Sequence, residues 1–251
     1  MTNVLICGIG GKMGQNVYAL LQGDKEAQAV CGVDMVAPSN VTVPVYDSFE
    51  KVSEKVDVIV DFSSPKVLPS LLAYAQKTGC AVVLATTGYT PDDLAKIEDA
   101  SKKIAVFKTA NFSVGVNLLV KLVKQAAAFL GEDYDVEIVE KHHHLKVDAP
   151  SGTALMLADS VNAAFDGQKE YLYGRSGNVG RRGKEIGIHA VRGGTIVGEH
   201  DVLFCGEDEE ITLSHRASSK IVFASGAVRA AKFVAGMPAG KYDMTDVLKN
   251  L

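Results

Sequence analysis

Residues 3–14 read NVLICGIGGKMG, and the way they are read decides the fold. The first five are a short, almost unbroken apolar run, which suits a parallel strand covered on both faces. Glycines follow at positions 8, 10, 11 and 14. Glycine permits a tight turn and lets backbone approach a ligand closely. A helix opening just behind such a turn offers free N–H groups and the positive end of its dipole to a pyrophosphate. The spacing departs from GxGxxG, because the third glycine of that pattern arrives one residue late. It is not a phosphate-binding P-loop either, since Met13 follows Lys12 where a Ser or Thr would hold magnesium. A ligand-free strand-to-helix turn is the plain alternative. The position directly after the first strand favours dinucleotide binding.

Working outward, strands and helices alternate. AQAVCGVD (27–34), VDVIVDF (56–62), AVVLATTG (81–88) and IAVFKTA (104–110) read as strands, with helical patterns between them. This predicts an α/β fold with a Rossmann-like, doubly wound parallel sheet. After Asn111 the pattern changes. A long helix (113–131), the strand YDVEIVE (134–140), a helix from Ser151, a Gly- and Arg-rich loop (167–184) and three further strands predict a second α+β domain. The last long helix, from Ser219, is expected to return to the first domain. The expected division is 1–112 plus 218–251 for dinucleotide binding, and 113–217 for substrate binding and tetramerisation.

Asp34 closes the second strand about 20 residues beyond the glycine loop, where a carboxylate accepts hydrogen bonds from the adenine ribose. It repels a 2′-phosphate, so NADH is expected to be preferred, with NADPH accepted through Lys12. A solvated strand end is the alternative reading of Asp34. Two loops at strand C-termini, Ala85-Thr86-Thr87-Gly88 and Thr109-Ala110-Asn111-Phe112, are placed to line the nicotinamide half.

EKHHHLKVDAPSGTAL (140–155) concentrates three histidines and a lysine before a helix start. Zinc would need His142 and His144 to converge on an extended strand and a ligand from afar, such as His189, His200 or His215. No HExxH pattern completes such a site, so no metal is expected; surface histidines are the bland reading. Acid/base chemistry fits better: imidazole titrates near neutrality, and Lys146 adds a cation or a second proton donor. Ser151-Gly152-Thr153, at the helix start, presents N–H groups and hydroxyls suited to a carboxylate, with simple capping by Ser151 as the alternative. Arg175, Arg181 and Arg182 in the 167–184 loop are candidates for guiding an anion.

The totals narrow the field. With 26 Lys and Arg against 30 Asp and Glu, the chain has a formal charge of −4. It lacks the basic surplus of a general nucleic-acid binder. No uninterrupted apolar run approaches the ~18 residues of a membrane span, and the N-terminus does not read as a signal peptide, so a cytoplasmic location is expected. Cys7, Cys31, Cys80 and Cys205 have no CxxC spacing and read as buried free thiols.

Taken in order, GIGGKMG, VDFSSP, ATTGY, ANFSVGVN, E-x-H-H-x-x-K-x-D-A-P-S-G-T-A, EIGIHAVRGGTIVGEH, LSHRASSK and FASGAVRAA resemble the 4-hydroxy-tetrahydrodipicolinate reductase family over essentially the whole chain. The resemblance implies an NAD(P)H-dependent oxidoreductase of the diaminopimelate route to lysine. It reduces the hydroxylated cyclic dipicolinate precursor to tetrahydrodipicolinate with loss of water. The implied roles are His142 as proton donor/acceptor, Lys146 as second proton donor, and His143, Gly152 and Thr153 as substrate ligands. Gly8, Ile9, Gly10, Gly11, Lys12, Met13, Asp34, Ala85, Thr86, Thr87, Thr109, Ala110, Asn111 and Phe112 are the implied cofactor positions. A homotetramer sharing a sheet is also implied. Some relatives carry Arg where this chain has His144 and His where it has Leu145, so one basic charge of the family's motif is missing here. A dehydrogenase for another dicarboxylate and a redox-sensing regulator remain as rivals; no basic recognition helix supports the latter.

Overall fold

The computed structural model describes residues 1–249. The chain divides into two units, Met1–Ser113 with Ile221–Leu251, and Val114–Lys220. The last two residues of the expected 218–251 segment, Asn250 and Leu251, lie outside the described residues.

In the first unit the order is β1 (Thr2–Cys7), α1 (Lys12–Leu21), β2 (Ala27–Val33), β3 (Val45–Tyr46), β4 (Val58–Asp61), α2 (Leu68–Thr78), β5 (Ala81–Leu84), α3 (Pro91–Ser101) and β6 (Ala105–Lys108). The strands form a parallel seven-stranded sheet in the order β12-β6-β5-β4-β1-β2-β3, where β12 is Gly240–Tyr242 near the C-terminus. Its direction of winding reverses between β1 and β4, which makes the C-terminal ends of those strands the place for a ligand. Both faces are covered. Leu5, Ile59, Val82 and Leu84 belong to one core with Leu71 and Leu72 of α2 and Ile97 of α3. On the other face α6 (Ile221–Val234) packs on α1, β4 and β5. Adjacent residues Val4, Leu5 and Ile6 are therefore all buried, which is why the run shows no alternation.

The second unit comprises α4 (Val114–Leu130), β7 (Asp135–His142), α5 (Gly152–Asn162), β8 (Tyr171–Tyr173), β9 (Ile186–Arg192), β10 (Gly198–Cys205) and β11 (Glu210–Ala217). The sheet order is β11-β10-β7-β9-β8, with β7 central, antiparallel to β10 and parallel to β9. In β7 the burial alternates with period two: Val136, Ile138 and Glu140 point inward, whereas Asp135, Glu137, Val139 and Lys141 point outward. The inward row joins Leu157 and Val161 of α5 and Leu119 and Val123 of α4 in the core. The segment Val114–Asp133 is long and apolar enough by composition to cross a membrane. One face of α4 nevertheless packs on α5 and β11, as an amphipathic core helix does.

Several short elements escaped sequence reading: β3, β12, the five-residue α7 (Met244–Leu248), and β8 inside the expected 167–184 loop. Pro65 opens a 3-10 turn (Pro65–Val67) that runs directly into α2.

Candidate active site

The glycine loop is held by sterics. Gly8 has φ +82°, and a Cβ there would lie 2.8 Å from the Phe62 carbonyl oxygen. A Cβ on Gly14 would lie 2.1 Å from the Gly8 oxygen, so the late glycine lets α1 pack onto the loop. Gly11 caps α1 without any side-chain hydrogen bond, which leaves the first turn of the helix to a ligand. Asp34 Oδ2 accepts from Gly10 N at 2.9 Å, setting the carboxylate against the loop. A cavity of about 700 Å³ is lined here by Gly8, Gly10, Gly11, Asp34, Ser63 and Lys66 among others. A nucleotide fits this cradle, because its floor is backbone that side chains would fill.

The other expected cofactor residues divide. Lys12 is exposed and Met13 half-buried at the start of α1. Ile9 and Phe112 keep their side chains inside the first unit. Ile9 is fully buried beneath Gly32, and Phe112 packs on Phe62 and Phe107, so each has only backbone to offer a nucleotide. Ala85, Thr86 and Thr87 follow β5, and Thr109, Ala110 and Asn111 follow β6; neither loop lines the cavity. Ser63 and Lys66 were not foreseen. Behind them Asp61, almost fully buried, accepts from the Ser63 hydroxyl and backbone and from the Tyr89 hydroxyl, tying the loops after β4 and β5 together.

The histidine stretch forms the second constellation. β7 ends at His142, and the chain turns at His144 and Leu145, so the extended alternation that would bring His142 and His144 together does not exist. Among the described residues no group of three or more His, Cys, Asp or Glu is arranged to hold a metal ion. His142 Nδ1 lies 2.6 Å from Glu140 Oε2. Glu140 also receives Arg192 Nη1 and Nη2, both at 2.8 Å, and Ser151 N at 3.0 Å. Burial alone raises a carboxylate; here the hydrogen bonds from Arg192 and His142 outweigh it and hold Glu140 below its ordinary value. Directly opposite Glu140 on β10 stands His200, whose ring meets that of His142 edge to face at 5.2 Å. Burial pushes the His200 imidazole down to about 4, so it is neutral at pH 7.

Ser151 faces inward. It is buried, its N–H is taken by Glu140, and its Oγ accepts from Ala154 N and lies 3.1 Å from His200 Nε2. It caps α5 and braces the histidines, with its N–H and hydroxyl engaged inside the protein. Gly152 is exposed and Thr153 half-exposed on the first turn of α5. Lys146 Nζ donates to both oxygens of Asp148 at 2.7 Å, which holds the Asp148 carboxyl below its usual range. His143 is lowered by loss of solvent and then by the charge of Lys220, so cations gather around it. Arg175 and Arg182 are engaged in ion pairs with Glu137, Glu185 and Asp135 along the sheet. Arg181 is exposed.

Sequence reasoning also missed Glu140, Arg192 and the bracing role of His200. One signal was available for Glu140. The alternation of YDVEIVE puts it in the same row as Val136 and Ile138, where a charge demands a partner.

Comparison with known proteins identifies the family. The family model described as dihydrodipicolinate reductase, N-terminus, matches residues 2–112, and that described as dihydrodipicolinate reductase, C-terminus, matches residues 115–248. The chain is 49% identical over 250 residues to a 4-hydroxy-tetrahydrodipicolinate reductase of Caldanaerobacter subterraneus subsp. tengcongensis, covering 99% of each. It is 44% identical to one of Clostridium tetani, covering all of this chain and 98% of the other. The solved structure of a dipicolinate-bound dihydrodipicolinate reductase from Paenisporosarcina sp. is similar with a TM-score of 0.80, at 27% identity and over 97% of both chains.

Proposed function

The chain belongs to the dihydrodipicolinate reductase family, and from that premise we propose how its residues share the work. It is a pyridine-nucleotide-dependent reductase that converts 4-hydroxy-tetrahydrodipicolinate to tetrahydrodipicolinate in the diaminopimelate route to lysine. The net change is loss of one water and gain of one hydride and one proton. When bound, the reduced nicotinamide supplies the hydride.

The glycine loop and the start of α1 hold the pyrophosphate, and Asp34 takes the adenine ribose. NADH is preferred, because the Asp34 carboxylate repels a 2′-phosphate, and Lys12 lets NADPH be accepted. Residues 85–87 and 109–111 serve the nicotinamide half. In the second unit Lys146, His143, Gly152 and Thr153 hold the dicarboxylate. His142 exchanges the proton that the reduced ring needs, and Lys146 is a second donor. Positive charge around them stabilises negative charge that builds on the ring as hydride arrives. The partly exposed outer face of the five-stranded sheet, with Val139, Val191 and Leu203, supports a homotetramer sharing that sheet. The ordinary composition and near-balanced charge support a cytoplasmic location.

The observation that carries the substrate reading is the Lys146–Asp148 pair. The ammonium already grips a carboxylate through both oxygens, in a segment beside an exposed helix start. The test is an assay coupled to the aldolase-type enzyme that makes the substrate, following loss of reduced-nicotinamide absorbance. Turnover only when that enzyme is present supports the reading; NADH binding without turnover contradicts it.

A further inference from the structure

Reading His142 as the acid leaves open which nitrogen acts and what holds the ring. We infer that Glu140, gripped by Arg192, is the positioning residue for that acid: it takes the Nδ1 proton, fixes the tautomer, and leaves Nε2 to exchange a proton with the substrate. This rests on the proposed role of His142.

The hydrogen-bond inventory leaves little choice. Glu140 is completely buried. Its Oε1 accepts from Arg192 Nη2 and Ser151 N; its Oε2 accepts from Arg192 Nη1, which leaves His142 Nδ1 at 2.6 Å as the fourth partner. An ionised carboxylate only accepts, so Nδ1 carries the proton. The competing neighbour, His200, is kept neutral by burial and spends Nε2 on Ser151.

The placement is rigid. Glu140 and His142 are two residues apart on one strand, hence on one face, and Arg192 stands directly opposite His142 on β9. Arg192 Nη2 also donates to the Asp148 carbonyl at 2.6 Å, so one guanidinium ties the holder of His142 to the loop carrying Lys146. On the other side of the ring, a Cβ at Gly198 would lie 3.1 Å from His142 Nε2, so the glycine keeps space beside that nitrogen. An apolar side chain would fill the inward row of Val136 and Ile138 without desolvating a charge. Stability alone gives no reason for a carboxylate there; aligning His142 does.

The test combines nitrogen-15 spectra of the histidines with a double-mutant cycle on the full-length enzyme. The wild-type His142 signals, assigned by their loss in His142→Gln, are expected to show a protonated Nδ1, and Glu140→Gln is expected to mix the tautomers. Glu140→Gln should lower kcat at least about tenfold with NADH affinity unchanged, yet lower it less than about twofold more in a His142→Gln background. Glu140→Asp, which keeps the charge, should fall between, and it decides the matter with the wild-type spectrum if Glu140→Gln fails to fold. A wild-type His142 whose Nδ1 is bare, with Nε2 carrying the only proton of the neutral ring, or losses that multiply in the double variant, would overturn the inference. Wild-type turnover by His142→Gln would instead remove the reading of His142 as the acid, while the spectra still report on the tautomer.

Discussion

Arg192 and Glu140 meet side by side, with both guanidinium Nη atoms 2.8 Å from a carboxylate oxygen that has no access to solvent. Removing the cation strands a buried charge, which is far costlier than never having had the pair. Arg192→Met is expected to lower unfolding free energy by about 3 kcal/mol, read from urea denaturation. Arg192→Lys should lose less, because a point charge replaces the two-pronged contact. A loss below about 1 kcal/mol for Arg192→Met would mean the pair is not the clamp described.

His200 makes stability depend on pH. Its folded value, about 4, lies below the ordinary histidine value of 6.5, so the unfolded chain binds more protons between those limits. Stability rises with pH through that window: the neutral ring's contribution is complete above about 6.5 and shrinks as pH falls toward 4. At pH 5 the cost relative to pH 7 is on the order of 2 kcal/mol. His200→Gln should flatten the pH dependence of the urea midpoint between pH 7 and 5; an unchanged slope would locate the titration elsewhere.

Much of this architecture was legible in the residues, for reasons particular elements make clear. β1, β4 and β5 are buried on both faces and read as apolar runs, and α4 shows helical spacing across four turns. By contrast β3 has two residues and β8 and β12 three each, too few to carry a period. β3 exists because its neighbours pair with it, Asp34 N donating to the Tyr46 oxygen. Among the candidate residues, Asp34, His142 and Lys146 announce themselves by type and position. Glu140, Arg192 and His200 do not, since they meet only through the register of β9, β7 and β10, with partners about 50 positions apart. Ser151 was legible as a cap, but not as a residue facing inward.

The glycine loop predicts a steric result. Gly14→Ala places a methyl 2.1 Å from the Gly8 oxygen, a contact that no rotamer change relieves. NADH affinity, measured by fluorescence titration, should fall at least about tenfold, or the protein should lose on the order of 2 kcal/mol or more of stability. Gly23→Ala, which meets nothing within 4 Å, is the control and should do neither.

Asp34 should govern the choice of nucleotide. Asp34→Asn removes the charge that repels a 2′-phosphate while keeping an acceptor near Gly10 N. The ratio of kcat/KM for NADPH to that for NADH is expected to rise about tenfold, equivalent to about 1.4 kcal/mol. An unchanged ratio would place the discriminating group elsewhere, with Lys12 and Lys66 the cations to examine next.

The central claim is that His142 and Lys146 act on the substrate and not on the nucleotide or the fold. It is tested most directly by measuring kcat and NADH dissociation constants side by side for His142→Gln and Lys146→Ala. The account predicts kcat reduced by about 10²- to 10⁴-fold, with NADH affinity within about threefold of wild type. Turnover near the wild-type rate, or parallel losses of turnover and NADH binding, would contradict it.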